Sequence, residues 1–236
     1  MADEHVSVLR EDPDLGKHLD DRRLRAAREE LHARLVTVPA GVWDPTVHAE
    51  AVDDAFGLLV LDGVVVRRVG RQDRFGAELL GTGDLCRLSD ATGRETLSSP
   101  FTTTWRAIAP VRLAVLDRDF VQRCAGYPEI GACLTIRAVC RARHLVVNLS
   151  IAHFARVDRR LELLLWHLAD RFGRVTPQGV VLPMRLTHDL LADLVAAQRP
   201  SVTLSLQQLE RAGRLRRQDG LLHLLGPPPS DDAEPA

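Results

Sequence analysis

Residues 186–217 read LTHDLLADLVAAQRPSVTLSLQQLERAGRLRR and describe two short helices around a tight connection. Thr187 is a good N-cap for a helix over Asp189–Val195, with Leu190, Leu191 and Leu194 on its buried face. Ala196-Ala197-Gln198 forms a turn of small residues, which lets two helices approach closely. Pro200 falls in the first turn of the next helix, where its missing N–H leaves no bond unmade. That helix runs to about Ala212 with Val202, Leu206 and Leu209 inward, and Gly213 ends it. Its outward face displays Arg199, Ser201, Thr203, Ser205 and Gln208. Leu215–Arg217 and Leu221–Leu225 then form a small hairpin around Asp219-Gly220, with Arg214, Arg216 and Arg217 near where phosphates would lie. A polar helix face alone is also what any solvated helix shows. The ordered set of capped helix, small turn, polar helix and arginine-flanked hairpin points further, to a winged helix-turn-helix on double-stranded DNA. The contact residues expected are Thr187, His188, Gln198, Arg199, Ser201, Val202, Thr203, Ser205, Gln208, Arg214, Arg216 and Arg217.

Upstream lies Val157–Arg171, a strongly apolar helix closed at Gly173. Before it, Pro128 opens a much longer helix reaching about Phe154, free of proline and with no glycine after Gly131. Ile130, Cys133, Arg137, Cys140, His144, Val147, Ile151 and Phe154 recur there in steps of three and four, the spacing of a helix seam. With Leu134 and Arg141 these residues are the expected dimer contacts; a helix packed only on its own chain is the alternative. Leu134, Leu145 and Leu149 make a second apolar stripe.

Between Leu35 and Asp117 the character changes to short β-branched stretches broken by Gly, Pro and Asp. Phe56–Val69 reads as a hairpin turning at Asp62-Gly63. Ala77–Leu80, Trp105–Ile108 and Val111–Leu116 read as further strands, and residues 87–100 as a loop. Strands at this spacing suggest a sandwich or barrel. Leu24, Ala27, Leu31 and Leu35 predict a helix from Asp20 to about Arg34, and residues 1–20 are polar and acidic. The expected organisation is therefore α+β. A flexible N-terminus covers 1–19, a β domain 20–126, a dimerisation helix 127–156, a winged helix 157–226 and a disordered tail 227–236.

The 236 residues carry 31 Lys plus Arg against 32 Asp plus Glu, so a nucleic-acid surface must be local rather than global. Cys86, Cys124, Cys133 and Cys140 show none of the close spacings of a zinc or iron-sulfur site and read as packing cysteines, with redox sensing as the alternative. No metal triad, nucleophile constellation or glycine-rich phosphate loop is present, which argues against an enzyme and for no resident cofactor. Apolar runs fall well short of the ~20 residues that span a bilayer, and residues 1–34 are charged throughout, so a cytoplasmic location and no membrane partner are expected.

The segment LTHDLLADLVAAQRPSVTLSLQQLERAGRL resembles the helix-turn-helix of the Crp-Fnr superfamily of bacterial transcription regulators, and the order of parts along the chain resembles it too. The resemblance implies an N-terminal cyclic-nucleotide-binding-like β-roll, a long dimerisation helix and a C-terminal winged helix that binds two-fold symmetric DNA as a homodimer, with RNA polymerase as a further partner. Relatives open the recognition helix with Arg-Glu-Thr/Ser-Val; here it is Arg199-Pro200-Ser201-Val202. Arg199 and Ser201 match DNA-contacting positions, whereas Pro200 replaces a base-reading glutamate, and Leu204-Ser205 stands where an arginine is common.

Cyclic-nucleotide binders of the superfamily carry a Gly-Glu pair and then Arg-Ser or Arg-Thr after a Gly-Asp turn. This chain has Gly83-Asp84-Leu85-Cys86-Arg87-Leu88-Ser89-Asp90, without the Gly-Glu pair, and Leu145-Val146 where an adenine-binding Thr-Ser pair would lie. An effector pocket, if used, would involve Glu78, Leu85, Arg87, Arg94 and Leu145, with an effector other than cyclic AMP. A haem ligand among His48, His144 and His153 is the other option; effector-independent or architectural DNA binding is the alternative function, and a cyclic-nucleotide-responsive regulator with Arg87 or Arg94 answering the phosphate is the second alternative.

Overall fold

The computed structural model describes residues 4–52, 54–72, 74–87 and 101–229. The chain divides into two compact units, Met1–Arg71 with Glu78–Arg143, and Gln72–Ala77 with His144–Ala236. The architecture is α+β: a β-rich N-terminal part, long helices, and a C-terminal helix-turn-helix.

The β-rich part holds two sheets. The first contains β1 (His5–Ser7), β2 (His32–Val38), β4 (Gly57–Asp62), β7 (Leu85–Cys86) and β9 (Val111–Leu116), in the order β1-β2-β9-β4-β7. The second contains β3 (Gly41–Trp43), β5 (Val65–Arg71), β6 (Arg74–Leu80) and β8 (Thr102–Ala107), in the order β3-β8-β5-β6. Its helices are α1 (Val8–Glu11), α2 (Asp21–Glu30), α3 (Ala49–Val52), α4 (Arg118–Cys124) and the start of α5 (Pro128–Ala152).

The central strands β4 and β9 explain this layering. Side chains alternate across a strand, so an unbroken apolar run such as Gly57–Leu61 is stable only when both faces are covered. Leu58 and Val60, with Val111, Leu113 and Val115, meet Trp43, Val65, Leu80, Trp105 and Ala107 of the second sheet. Leu59, Leu61, Ala114 and Leu116 meet Val8, Leu9, Ala27, Phe120, Ile130 and Leu134 from the helices. Each fully buried leucine contributes roughly 1.5–3 kcal/mol, so these two strands anchor the unit. Asp117 caps α4 by accepting from the Phe120 N–H at 2.8 Å.

Several expectations are corrected. Residues 4–17, expected to be flexible, form β1, α1 and a 3-10 turn over Pro13–Gly16, with Val8, Leu9 and Leu15 buried. Sparse apolar residues in a polar stretch are enough when each reaches a core. The helix expected to run to Arg34 stops at Glu30; Leu31 leaves helical geometry and Leu35 pairs with Ala114 in the sheet. Asp62-Gly63 does not close a hairpin. Strands β4 and β5 belong to different sheets, and the turn carries the chain between them. Gly63 has φ +89°, and a Cβ there would lie 2.8 Å from the Pro110 carbonyl, so glycine is required.

Helix α5 differs from its expected orientation. Ile130, Cys133 and Leu134, expected at a subunit seam, are buried in their own chain's core. Arg137 pairs with Asp12 and Arg141 with Glu78, also within the chain. The face left open is neither stripe read from sequence: Ala132, Thr135, Val139, Ala142, Val146, Leu149 and His153 are all exposed. Val139, Val146 and Leu149, with neighbouring Ile136, are 60–65% exposed. Cys140 is exposed, His144, Val147 and Phe154 are half-buried, and Ile151 is buried.

The second unit contains α6 (Val157–Phe172), α7 (His188–Leu194), α8 (Arg199–Arg211) and one four-stranded sheet, β10-β11-β13-β12. Strands β12 (Leu215–Gln218) and β13 (Leu221–Leu224) are the expected hairpin, turning at Asp219 and Gly220, both with positive φ. Strands β10 (Arg174–Thr176) and β11 (Gly179–Leu182) were not anticipated; β11 pairs antiparallel with β13 and ties the hairpin to the unit. The region expected as a disordered tail lies outside the described residues from 230 onward.

Candidate DNA-binding surface

Helix α7 begins as expected. Thr187 accepts from the Leu190 N–H at 3.2 Å. Its end is unusual, because the turn residue Ala196 sits at φ +50°, a region an alanine seldom occupies. Arg160 of α6 supports it by donating to the carbonyls of Val195 and Ala196 at 3.3 and 3.2 Å. A guanidinium on free C-terminal carbonyls also complements the helix dipole. Sequence reading missed Arg160, since nothing local links it to a turn 35 residues away.

Helix α8 follows, with Pro200 in its first turn. Val202, Ser205, Leu206 and Leu209 point inward and are buried. Val202 and Ser205, both expected among the DNA contacts, are therefore packing residues. The exposed residues of α8 are Arg199, Pro200, Leu204, Gln207, Gln208 and Arg211, and Ser201 and Thr203 are half-buried. Thr203 is held on both sides: its hydroxyl donates to the Arg199 carbonyl at 3.0 Å and lies 2.8 Å from His188 Nδ1. His188 thus acts on Thr203 of its own chain. Thr187 and Gln198 are exposed at the starts of the two helices.

Most of the expected phosphate-binding arginines already have carboxylate partners. Arg214 pairs with Glu162 of α6 at 2.7 Å, and Glu162 also meets Arg159 at 3.4 Å. Arg217 grips Glu210 with two bonds, at 2.6 and 2.7 Å. Those bonds hold the Glu210 carboxyl below the usual carboxylate range and raise Arg217. Arg199 lies 3.6 Å from Asp189, but both side chains are 67% exposed, so the contact is weak. Arg216 is exposed on the outer side of β12. Two exposed arginines escaped the sequence reading: Arg211 on α8, and Arg185, whose guanidinium lies about 3.4 Å from where a Cβ on Gly220 would be. Their only signal was proximity to the motif.

Of the expected effector residues, Glu78 and Leu85 are brought around the Arg141 guanidinium. Leu85 is buried, Arg87 exposed and Arg94 outside the described residues, while Leu145 belongs to the second unit. Glu78 is buried and bound by its own chain. Arg141 meets it with Nε and Nη2 at 2.6 and 3.0 Å, and Arg67 Nη2 lies at 3.1 Å. Arg141 also donates to the Leu85 carbonyl at 3.0 Å. Arg67 stands across from Trp105 on β8, and Trp105 across from Trp43 on β3, so a row of inward side chains crosses the sheet.

Burial pushes the nearby Cys86 thiol up to about 12, and burial likewise raises Cys124. Neither is a thiolate at neutral pH. His48 is held low by burial and Arg34, and the His144 and His167 rings lie 5.1 Å apart, tilted by 51°. Among the described residues no group of three or more His, Cys, Asp or Glu is placed to hold a metal ion, and no helix is long and apolar enough to cross a membrane.

The model of the Crp-like helix-turn-helix domain matches residues 159–227. A "CRP-like cAMP-activated global transcriptional regulator" of Mycobacterium tuberculosis is 33% identical over 178 residues, covering 72% of this chain and 76% of that protein. Among solved structures, a CooA mutant from Carboxydothermus hydrogenoformans aligns over 93% of this chain and 91% of its own, at 16% identity and TM-score 0.61. The c-di-GMP responsive regulator CLP of Xanthomonas campestris aligns over 83% of this chain and 95% of its own, at 20% identity and TM-score 0.56. These two likenesses are of fold.

Proposed function

The chain belongs to the Crp-Fnr superfamily of bacterial, DNA-binding transcription regulators, and on that premise we propose that it works as a homodimer on a two-fold symmetric operator, without cyclic AMP as its effector. One observation carries the DNA surface. Helix α8 and the β12–β13 hairpin leave Arg199, Gln207, Gln208, Arg211 and Arg216 exposed in a helix-turn-helix whose inner face is fully packed. Gln198, Ser201 and Thr187 are proposed to add phosphate contacts at the two helix starts. Base reading by Arg199 and Gln208 follows the donor-acceptor logic of the major groove.

The open stripe on α5 supports the dimer. Ala132, Thr135, Val139, Ala142, Val146, Leu149 and His153 repeat at the three-four spacing of a helix seam. A second copy of the same helix would cover exposed valines and leucine that otherwise face water. We propose this seam in place of the one expected from sequence, whose Ile130, Cys133 and Leu134 lie in the chain's own core.

The effector reading rests on Glu78. Two arginines of the chain already occupy this buried carboxylate, and Leu145-Val146 offers no hydroxyl to a purine. The mycobacterial relative is described as cAMP-activated, so the opposite outcome has a specific precedent. The test is selection of bound duplexes from random DNA, with and without millimolar cyclic AMP. We expect a palindromic consensus whose enrichment is the same in both arms. A consensus that emerges only with cyclic AMP would overturn the effector reading, and a non-palindromic one would overturn the dimer.

A further inference from the structure

Leu204 is the exposed large apolar residue of α8, at 53%. By helical spacing Pro200, Leu204, Gln207, Gln208 and Arg211 lie along one stripe. All five are exposed. The N-terminal half of this stripe offers carbon rather than hydrogen-bonding groups. Pro200 has no N–H and an aliphatic ring. Beside it, the Thr203 hydroxyl is spent on the Arg199 carbonyl and His188, so this half-buried side chain has only its methyl left to offer. Polar reading is left to Arg199 at one end and to Gln207, Gln208 and Arg211 at the other.

We propose that Leu204, assisted by Pro200 and the Thr203 methyl, is a specificity-determining residue that reads thymine C5-methyl groups in the major groove. This rests on the reading of α8 as the recognition helix. Among the four bases, the thymine methyl is the apolar group on the major-groove edge, so an apolar side chain there discriminates by covering it. The surroundings fit a nucleic acid better than a protein partner. Leu204 is a single apolar side chain on a stripe shared with glutamines and an arginine, with Arg199 and Arg216 exposed nearby in sequence, and protein interfaces are poorer in charge at their core. The methyl of 5-methylcytosine stands at the same edge and would be read in the same way.

The operator obtained by selection is rebuilt with deoxyuridine in place of each thymine in turn, which removes one methyl and leaves base pairing intact. The wild-type protein should lose about three- to four-fold in affinity at each contacted position, the worth of one buried methyl group. Leu204→Ala should bind the thymine operator more weakly and bind thymine and uracil versions equally. Since Leu204 is exposed, its melting temperature should stay that of the wild type, which separates reading from folding. If uracil is accepted at every position by a protein that still selects a sequence, this inference fails while the DNA-binding reading stands. Thymine–uracil discrimination that survives Leu204→Ala overturns it as well, assigning the methyl contact elsewhere. A wild-type protein that selects no sequence at all overturns instead the reading of α8 as the recognition helix.

Discussion

Replacing Glu78 with glutamine should be the most damaging single-atom-scale change in the first unit. The carboxylate is 7% exposed and holds two guanidiniums, Arg67 and Arg141, themselves 15% and 14% exposed. Glutamine keeps the shape and one acceptor oxygen but removes the charge and turns an NH2 group toward an arginine. Both cations then lose this counter-charge while still largely desolvated. Breaking a buried pair from one side in this way costs about 3–5 kcal/mol. Arg141→Met removes one cation instead, leaves Glu78 with Arg67, and frees the Leu85 carbonyl, so about 1.5–3 kcal/mol is expected from lost charged hydrogen bonds.

Urea unfolding followed by tryptophan fluorescence reads this directly. Trp43 and Trp105 lie in the same row as Arg67, while Trp166 is in the second unit, so a Trp166→Phe background confines the signal to the first. The ordering is the decisive result: Glu78→Gln should lose more than Arg141→Met, and added salt should rescue neither, because buried pairs are little screened. Equal losses, or a Glu78→Gln loss below about 1 kcal/mol, would refute the claim that this carboxylate serves both buried cations.

Val139→Glu, which sets like charges against each other across the proposed α5 seam, should convert the dimer to a monomer at micromolar concentration in sedimentation equilibrium, whereas Ala138→Glu should do so less. For the wing, Arg216→Ala should lower the salt slope of DNA binding by about one unit, while Arg217→Ala, whose guanidinium is already engaged by Glu210, should lower it less. For pH, burial first, then His144 and Arg171, hold the His167 imidazole below the ordinary range, against a pull upward from Asp170. A histidine that resists protonation in the fold costs stability once pH falls below its unfolded value of about 6.5, so the melting temperature should drop between pH 7 and 5.5, and His167→Leu should flatten that drop.

The helix-turn-helix was legible because its signals are local. A cap at Thr187, a proline at 200 and the Asp219-Gly220 pair each fix the backbone within a few residues, and each is found where expected. The α5 seam was not legible for the opposite reason. Helical spacing shows which residues share a face, and only the packed core determines which face turns inward. The clue lay in a charged residue that spoiled the chosen stripe: Arg137 pairs with Asp12 inside the chain, as Arg141 one turn on does with Glu78. Asp62-Gly63 failed similarly, since turn chemistry fixes a reversal without saying which strands become neighbours. Ser205 was placed outward by its polarity, and Val202, read as inward, was still counted among the DNA contacts; the helical phase set by Leu206 and Leu209 puts both inside.

The proposed DNA surface also bears on how this near-neutral chain would discriminate sequences. Non-specific affinity comes chiefly from releasing counterions by free cations, whereas an arginine already neutralised by a carboxylate contributes less to it. Arg214 and Arg217 are so neutralised, by Glu162 and Glu210, and Arg199 has Asp189 nearby. Glu162 sits on α6 and Glu210 on α8, so these pairs brace the hairpin against both helices rather than waiting for phosphate. With fewer free cations the electrostatic background is smaller, and a larger share of binding must come from the fit of α8 itself. Pro200 and Leu204 on that helix contribute shape and apolar contact, which no change in salt can imitate. A surface of this composition favours selectivity over general attraction to DNA.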